Sequence, residues 1–151
     1  MAVSDKDGWP VDIKIEVLRP SDYDRVLRLW QNTPGVGLRE ADDSLEGFEQ
    51  LLRRNPRTCF GAFRNGSLIG TILAGNDGRR GHLYHLAVAP EERRNGIGRR
   101  LVRTAMEALK AEGIHKTALV VFTDNAVGNA FWESVGFSER KDLVYRNLEN
   151  K

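Results

Sequence analysis

The sequence predicts a mixed sheet with helices on its faces, in the α/β or α+β class. Three observations carry that prediction. Strand-like and helix-like periodicities follow one another in the order β-α-α-β-β-β-α-β-α-β. Asn65-Gly66 parts two apolar runs, the strongest short-range hairpin signal. A third apolar run ends at Val88 and passes through a glycine-bearing turn into a long amphipathic stretch. With 151 residues the chain is expected to be one domain over 1–151, long enough to bury a core.

Each element has its own signal. Residues 1–11 are polar, contain Gly8 and Pro10, and are expected to be flexible. Ile13 to Leu18 alternates apolar and polar side chains, as a half-buried strand does. Pro20-Ser21 starts a helix with Ser21 as N-cap and Val26, Leu27 and Trp30 on its apolar face. Thr33 to Gly37 breaks it. Asp42-Asp43-Ser44 caps a second helix with the face Leu45, Phe48, Leu51 and Leu52, and Asn55-Pro56 ends it. Strands follow at Thr58–Arg64, Ser67–Ala74 and Gly81–Val88. The longest helix runs from Gly98 to about Glu112, with Ile97, Leu101, Val102, Ala105, Met106 and Leu109 on one stripe. Gly113 stops it. Thr117–Phe122 reads as a central strand. Asp124-Asn125 caps a last helix to Val135, and Leu143–Leu148 reads as the final strand.

Composition excludes several classes. The net charge of +2 is too small to imply binding to nucleic acid or a membrane surface. Residues 1–60 hold 9 basic and 11 acidic side chains and residues 61–151 hold 14 and 10, so the basic excess lies in the second half. The single cysteine, Cys59, cannot form an internal disulfide and reads as a small core residue in a reducing compartment. No apolar run reaches the ~20 residues of a membrane span. The polar N-terminus has no signal-peptide character, and a cytoplasmic location is expected. Three separated histidines and one cysteine do not suggest a metal site.

The chemistry is concentrated between Leu86 and Val102. An apolar strand runs through Arg93-Arg94-Asn95-Gly96-Ile97-Gly98 into a helix. Glycines let backbone approach a ligand closely, and the N–H groups and dipole of a helix start favour an anion. Arg93, Arg94, Arg99, Arg100 and Arg103 lie in this stretch, and no acidic residue occurs from Arg93 to Met106. That is a phosphate-binding design. It lacks the Lys-Ser/Thr ending of a P-loop, and no aromatic residues interleave it as nucleic-acid binding would require.

Together with Asn125-Ala-Val-Gly-Asn-Ala-Phe-Trp-Glu-Ser-Val-Gly-Phe137, this turn resembles the GNAT superfamily of acetyl-CoA-dependent N-acyltransferases. The turn fits that family's pyrophosphate loop, Leu86-Ala-Val88 precedes it at the usual spacing, and the later stretch is similar to the family's last-helix signature. The resemblance covers about residues 13–148. It implies a mostly antiparallel sheet, splayed at the acetyl-CoA site and flanked by about four helices. It implies acetyl-CoA as cosubstrate, an amine as acceptor, and no metal. Leu86, Ala87 and Val88 would pair with the pantetheine arm through their backbone. Arg93, Arg94, Asn95, Gly96, Ile97, Gly98 and Arg99 would hold the pyrophosphate. Asn125, Phe131 and Trp132 would border the arm from the opposite wall. Assembly as a homodimer stays open. So does a second reading, a non-catalytic module that binds or senses an acyl-CoA.

Acetyl transfer to an amine poses two proton problems. Making a lysine-like amine neutral at pH 7 costs roughly 4–5 kcal/mol, so a base is needed. In the family the base often stands mid-strand before the pyrophosphate loop. Here that strand offers His82, which by the two-residue period shares a face with Tyr84 and Leu86. An imidazole suits the task, although His82 is ~13 Å along the strand from Leu86. His85 is expected on the opposite face, in a structural role. The leaving thiolate needs a proton as well. Many relatives carry a Tyr where this chain has Trp132, and an indole N–H is no general acid. Tyr84, Tyr145, water or a main-chain oxyanion site is left to serve. The first two helices and their connection would border the acceptor groove. That brings Trp30, Glu40 and Asp42 to the acceptor side, although Trp30 also reads as core, and Glu40, Asp42 and Asp43 also read as solvated caps.

Overall fold

Alternation in Ile13–Val17 makes a strand, β1, that pairs antiparallel with β2, Phe60–Arg64. β2 turns through Asn65 and Gly66, both left-handed with φ of 48° and 85°, into β3, Ser67–Asn76. Two positive φ values are what a tight two-residue hairpin demands. β3 pairs antiparallel with β4, Gly81–Val88, and β5, Thr117–Ala118, lies parallel to β4. The strand order is β1-β2-β3-β4-β5. The computed structural model describes residues 8–151.

The described residues cluster as two units, one ending at Val120 and the other Val121–Lys151. In the first, β3 is the central strand, with every residue from Ile69 to Gly75 buried. One face of the sheet receives α4, Ile97–Ala111, whose Ile97 and Leu101 lie over Gly70. The other receives α1, Tyr23–Gln31, and α3, Leu45–Arg54. There Val26, Leu29, Trp30, Phe48 and Leu52 pack with Cys59, Leu73 and Ala87. Trp30 meets Phe48 edge-on at 6.2 Å.

Several expectations are corrected. Thr117–Phe122 is not a central strand. Only Thr117 and Ala118 pair, at the sheet edge, and Val120 and Phe122 are about 60% exposed. An apolar run alone does not say whether a partner lies on each side. Leu143–Leu148 forms no strand, since none pairs with it among the described residues and its apolar side chains are exposed. Ser21 is not an N-cap. Pro20–Asp22 forms a 3₁₀ turn before α1, and the Asp22 carboxylate accepts from the Arg19 N–H at 2.8 Å. Asp42-Asp43-Ser44 is not one cap either. Glu40–Asp43 is a short helix of its own, α2, and Ser44 alone caps α3, accepting from Gly47 N–H at 3.1 Å. The expectation for residues 1–7 lies outside the described residues. Trp9, expected to be loose, is held: its indole N–H donates to Ile13 O at 3.0 Å and Arg100 stands over its ring at 4.9 Å.

The second unit is built on α5, Ala126–Ser134. Asn125 caps it, its Oδ1 accepting from Gly128 N–H at 2.9 Å. Trp132 meets Phe131 and Phe137 edge-on at 5.2 and 5.3 Å. Arg140 forks onto Asp142 with two contacts of 2.8 Å.

Candidate active site

The site is organised by one irregularity in β4. Thr71 faces Ala87 and Leu73 faces Tyr84. One residue, Ile72, therefore opposes two, His85 and Leu86. His85 takes a left-handed φ of 47° to accommodate the extra residue. This is a β-bulge, and it resets the alternation along the strand.

The reset overturns the expected faces. Thr71 bonds Trp30 on the α1 side, so its partner Ala87 and, two residues along β3, the partner Tyr84 face that side too. Gly70 faces α4, so its partner Val88, and Leu86 two residues before it, face α4. His82 and Tyr84 share a face as expected, with ring centres 4.5 Å apart. Leu86 does not share it. His85, expected opposite, is on the α1 side with Tyr84, its ring 4.7 Å from Trp30.

His85 is tied down at both ends. Its Nε2–H donates to Asp43 Oδ1 at 2.8 Å, and both side chains are largely buried, 16% and 9% exposed. Its carbonyl accepts from the Thr71 hydroxyl at 3.0 Å, and that hydroxyl accepts from Trp30 Nε1–H at 3.0 Å. Asp43 is fixed in turn. Its Oδ2 accepts from Arg39 N–H at 2.7 Å, and its carbonyl accepts from the Tyr23 hydroxyl at 2.7 Å. Sequence reasoning grouped Glu40, Asp42 and Asp43 as acidic residues of this segment and put Glu40 and Asp42 forward for the acceptor; those two are exposed, whereas Asp43 is buried. Only the helical period of a four-residue helix separates them, and no sequence signal announced it. Trp30 is 1% exposed, a core residue whose ring meets that of His85 edge-on. His82 is half-buried, and burial pushes its imidazole below the ordinary value.

Beyond the bulge, β4 has an open edge. β5 pairs with it only at Gly81 and His82, and among the described residues no strand takes up the edge from Leu83 to Val88. The chain then makes a 3₁₀ turn, Pro90–Glu92, and enters the glycine turn. Arg94 and Gly96 are left-handed, with φ of 68° and 75°. The first intrahelical bond onto Gly96 O comes from Arg100 N–H at 3.1 Å. The amides of Ile97 and Gly98 thus stand in the first turn, where a helix supplies no acceptor. That first turn holds no acidic residue.

One acid does stand close. Glu92 is gripped by Arg64, with Nε–Oε1 at 3.0 Å and a second contact to Oε2 at 2.8 Å, and Arg64 also pairs with Asp12. The guanidinium, with a hydrogen bond from Asn95, holds the Glu92 carboxyl below its usual range. Sequence reasoning missed this clamp, because 28 residues separate its partners.

The other expected site residues lie in the second unit. Asn125 uses Oδ1 in its cap, and Phe131 and Trp132 are half-buried there. Tyr145 is 69% exposed in an irregular segment. Among the described residues no cluster of three His, Cys, Asp or Glu side chains could hold a metal ion. No helix of the described residues is long and apolar enough to cross a membrane.

Known proteins share the family and the fold of this chain. The family model for the acetyltransferase (GNAT) family matches residues 23–137. An acetyltransferase from Photorhabdus laumondii is 33% identical over 132 residues, 85% of this chain and 88% of that protein. Among solved structures, Ard1 from Thermoplasma volcanium superposes with a TM-score of 0.75 at 22% identity, covering 85% of this chain and 84% of that one. The PaiA N-acetyltransferase from Thermoplasma acidophilum, solved with coenzyme A, gives 0.74 at 24% identity, covering 83% and 89%.

Proposed function

This chain belongs to the acetyltransferase (GNAT) family, and on that footing we propose that it transfers an acetyl group from acetyl-CoA to a primary amine by direct attack on the thioester. The observation that carries this reading is an open strand edge leading into a helix start without acidic residues. The main chain of Leu86 to Val88 offers donors and acceptors to the amides of a pantetheine arm. The amides of Ile97 and Gly98, with Arg93, Arg94 and Arg99 nearby in sequence, suit a pyrophosphate. Main-chain donors in a turn are poorly screened, so salt should weaken binding only in part.

The incoming amine arrives as an ammonium and must lose a proton before its lone pair can attack. β4 brings two imidazoles, His82 and His85, to the α1 side of the sheet, and either is chemically competent to receive it. Tyr84, its ring 4.5 Å from that of His82 and tilted by 36°, would be the hydroxyl that returns a proton to the leaving sulfur.

Calorimetry with acetyl-CoA and a thiol-release assay across an amine panel test the reading. Gly96→Glu puts a carboxylate at the anion site and abolishes binding in a folded protein. Unchanged affinity in that variant would overturn the cofactor assignment. Absence of CoA release with every amine would overturn the acetyl-transfer step.

A further inference from the structure

We propose that His85, oriented by Asp43, takes the proton from the attacking amine, and that His82 stands outside that step. This rests on the acetyl-transfer reading above.

Position argues for it first. His85 sits in the bulge, one residue before Leu86, where the β4 edge is open. His82 lies ~10 Å further back along the strand. There β5 still closes the edge, through the His82–Ala118 pair. A base that reached the thioester from His82 would need a relay.

Orientation argues for it second. An ionised carboxylate only accepts, so the contact to Asp43 Oδ1 assigns the ring proton to Nε2. The lone pair is then on Nδ1. A carboxylate behind an imidazole fixes its tautomer and stabilises the imidazolium that forms, the logic of a catalytic triad. Asp43 can do this because Arg39 N–H and the Tyr23 hydroxyl hold its segment in place. The groups around the ring are few. α2 contributes Asp43, α1 contributes Trp30 with Tyr23 behind Asp43, β3 contributes Thr71, and β4 contributes Tyr84 and His82. Asp43 is the carboxylate bonded to it, and its charge also favours an approaching ammonium.

The step balances. His85 Nδ1 takes one proton from the ammonium. The amine nitrogen bonds to the thioester carbonyl carbon, and the carbon–sulfur bond breaks. The second amine proton leaves with the sulfur as CoA thiol, and the imidazolium returns its proton to water. Asp43 is a positioning residue in this scheme.

The test uses the full chain, acetyl-CoA and two probes. One is an alkylamine that the wild-type protein acetylates and that is protonated at pH 7. The other is hydroxylamine, which is uncharged there. His85→Gln can still bond Asp43 but cannot carry a proton. It should lower kcat/KM for the alkylamine by about 10²–10⁴, leave acetyl-CoA affinity and Tm near wild type, and spare hydroxylamine. His82→Gln should keep the acid limb of the alkylamine pH profile, which His85→Gln removes. Asp43→Asn should lower the alkylamine rate and change the acid limb of its pH profile; this carries the test if His85→Gln does not fold. Wild-type rates in His85→Gln, equal losses for both probes, or a large loss confined to His82→Gln would overturn the inference. A wild-type protein that acetylates no amine would instead overturn the reading beneath it.

Discussion

Arg64 forks onto the Glu92 carboxylate and holds it just before the glycine turn that opens α4. The pair joins the end of β2 to the residue just before Arg93. Removing the guanidinium would release a carboxylate where the pyrophosphate is expected.

Arg64→Met should therefore raise the acetyl-CoA Kd about tenfold, ~1.4 kcal/mol, with kcat at saturation unchanged. Calorimetry and steady-state kinetics check the split. The clamp also predicts a pH trend. Because the Glu92 carboxyl is depressed in the folded chain, its contribution is complete above the ordinary carboxylate range. It is lost as pH falls through the depressed value. The Tm gap between wild type and Arg64→Met should narrow from pH 7 to pH 3.

His82 gives the second trend. Burial lowers its imidazole below the ordinary value, so the unfolded chain takes up a proton before the folded one does. Stability is then full above pH ~6.5 and falls as the pH is lowered below it. His82→Gln should flatten the Tm profile between pH 7 and pH 5. An equally steep decline in the variant would count against a buried neutral imidazole.

Cys59 is fully buried, and burial pushes its thiol up to about 11. A thiolate-directed reagent at pH 8 should therefore label it only through unfolding. Labelling should speed up with added urea in step with the unfolding equilibrium. Rapid labelling of the native protein would contradict the packing around it.

Tyr84 is the hydroxyl favoured as proton donor to the sulfur. Tyr84→Phe should lower kcat by about 10²-fold, the low end of general-acid effects, while Tyr145→Phe and Trp132→Phe keep the alkaline side of the pH profile. If all three keep wild-type turnover, solvent or a main-chain oxyanion site does the work.

Much of this was legible in the sequence, and the reasons are local. Asn65-Gly66 fixes its hairpin through backbone chemistry that neighbours do not override. Gly81–Val88 and the stripe from Ile97 to Leu109 were read with almost correct ends, because their periodicities are long. The turn into the long helix was legible because Gly96 marks the left-handed position where it stands. What escaped was non-local. The bulge at His85 arises from a mismatch in count between two strands. The Asp43–His85 contact spans 42 residues, and the Arg64–Glu92 contact spans 28. Leu143–Leu148 alternates like a strand, but alternation cannot supply a neighbour to pair with.

The extra residue in β4 also makes the site depend on arithmetic as much as on chemistry. Deleting one position between Tyr84 and Ala87 would restore a regular ladder while leaving the apolar composition of the core almost untouched. The imidazole would then lose its station beside Asp43, and the Thr71 hydroxyl would lose the carbonyl it holds. A designer who grafts this strand onto another scaffold must therefore conserve the mismatch in length against its neighbour before conserving any side chain.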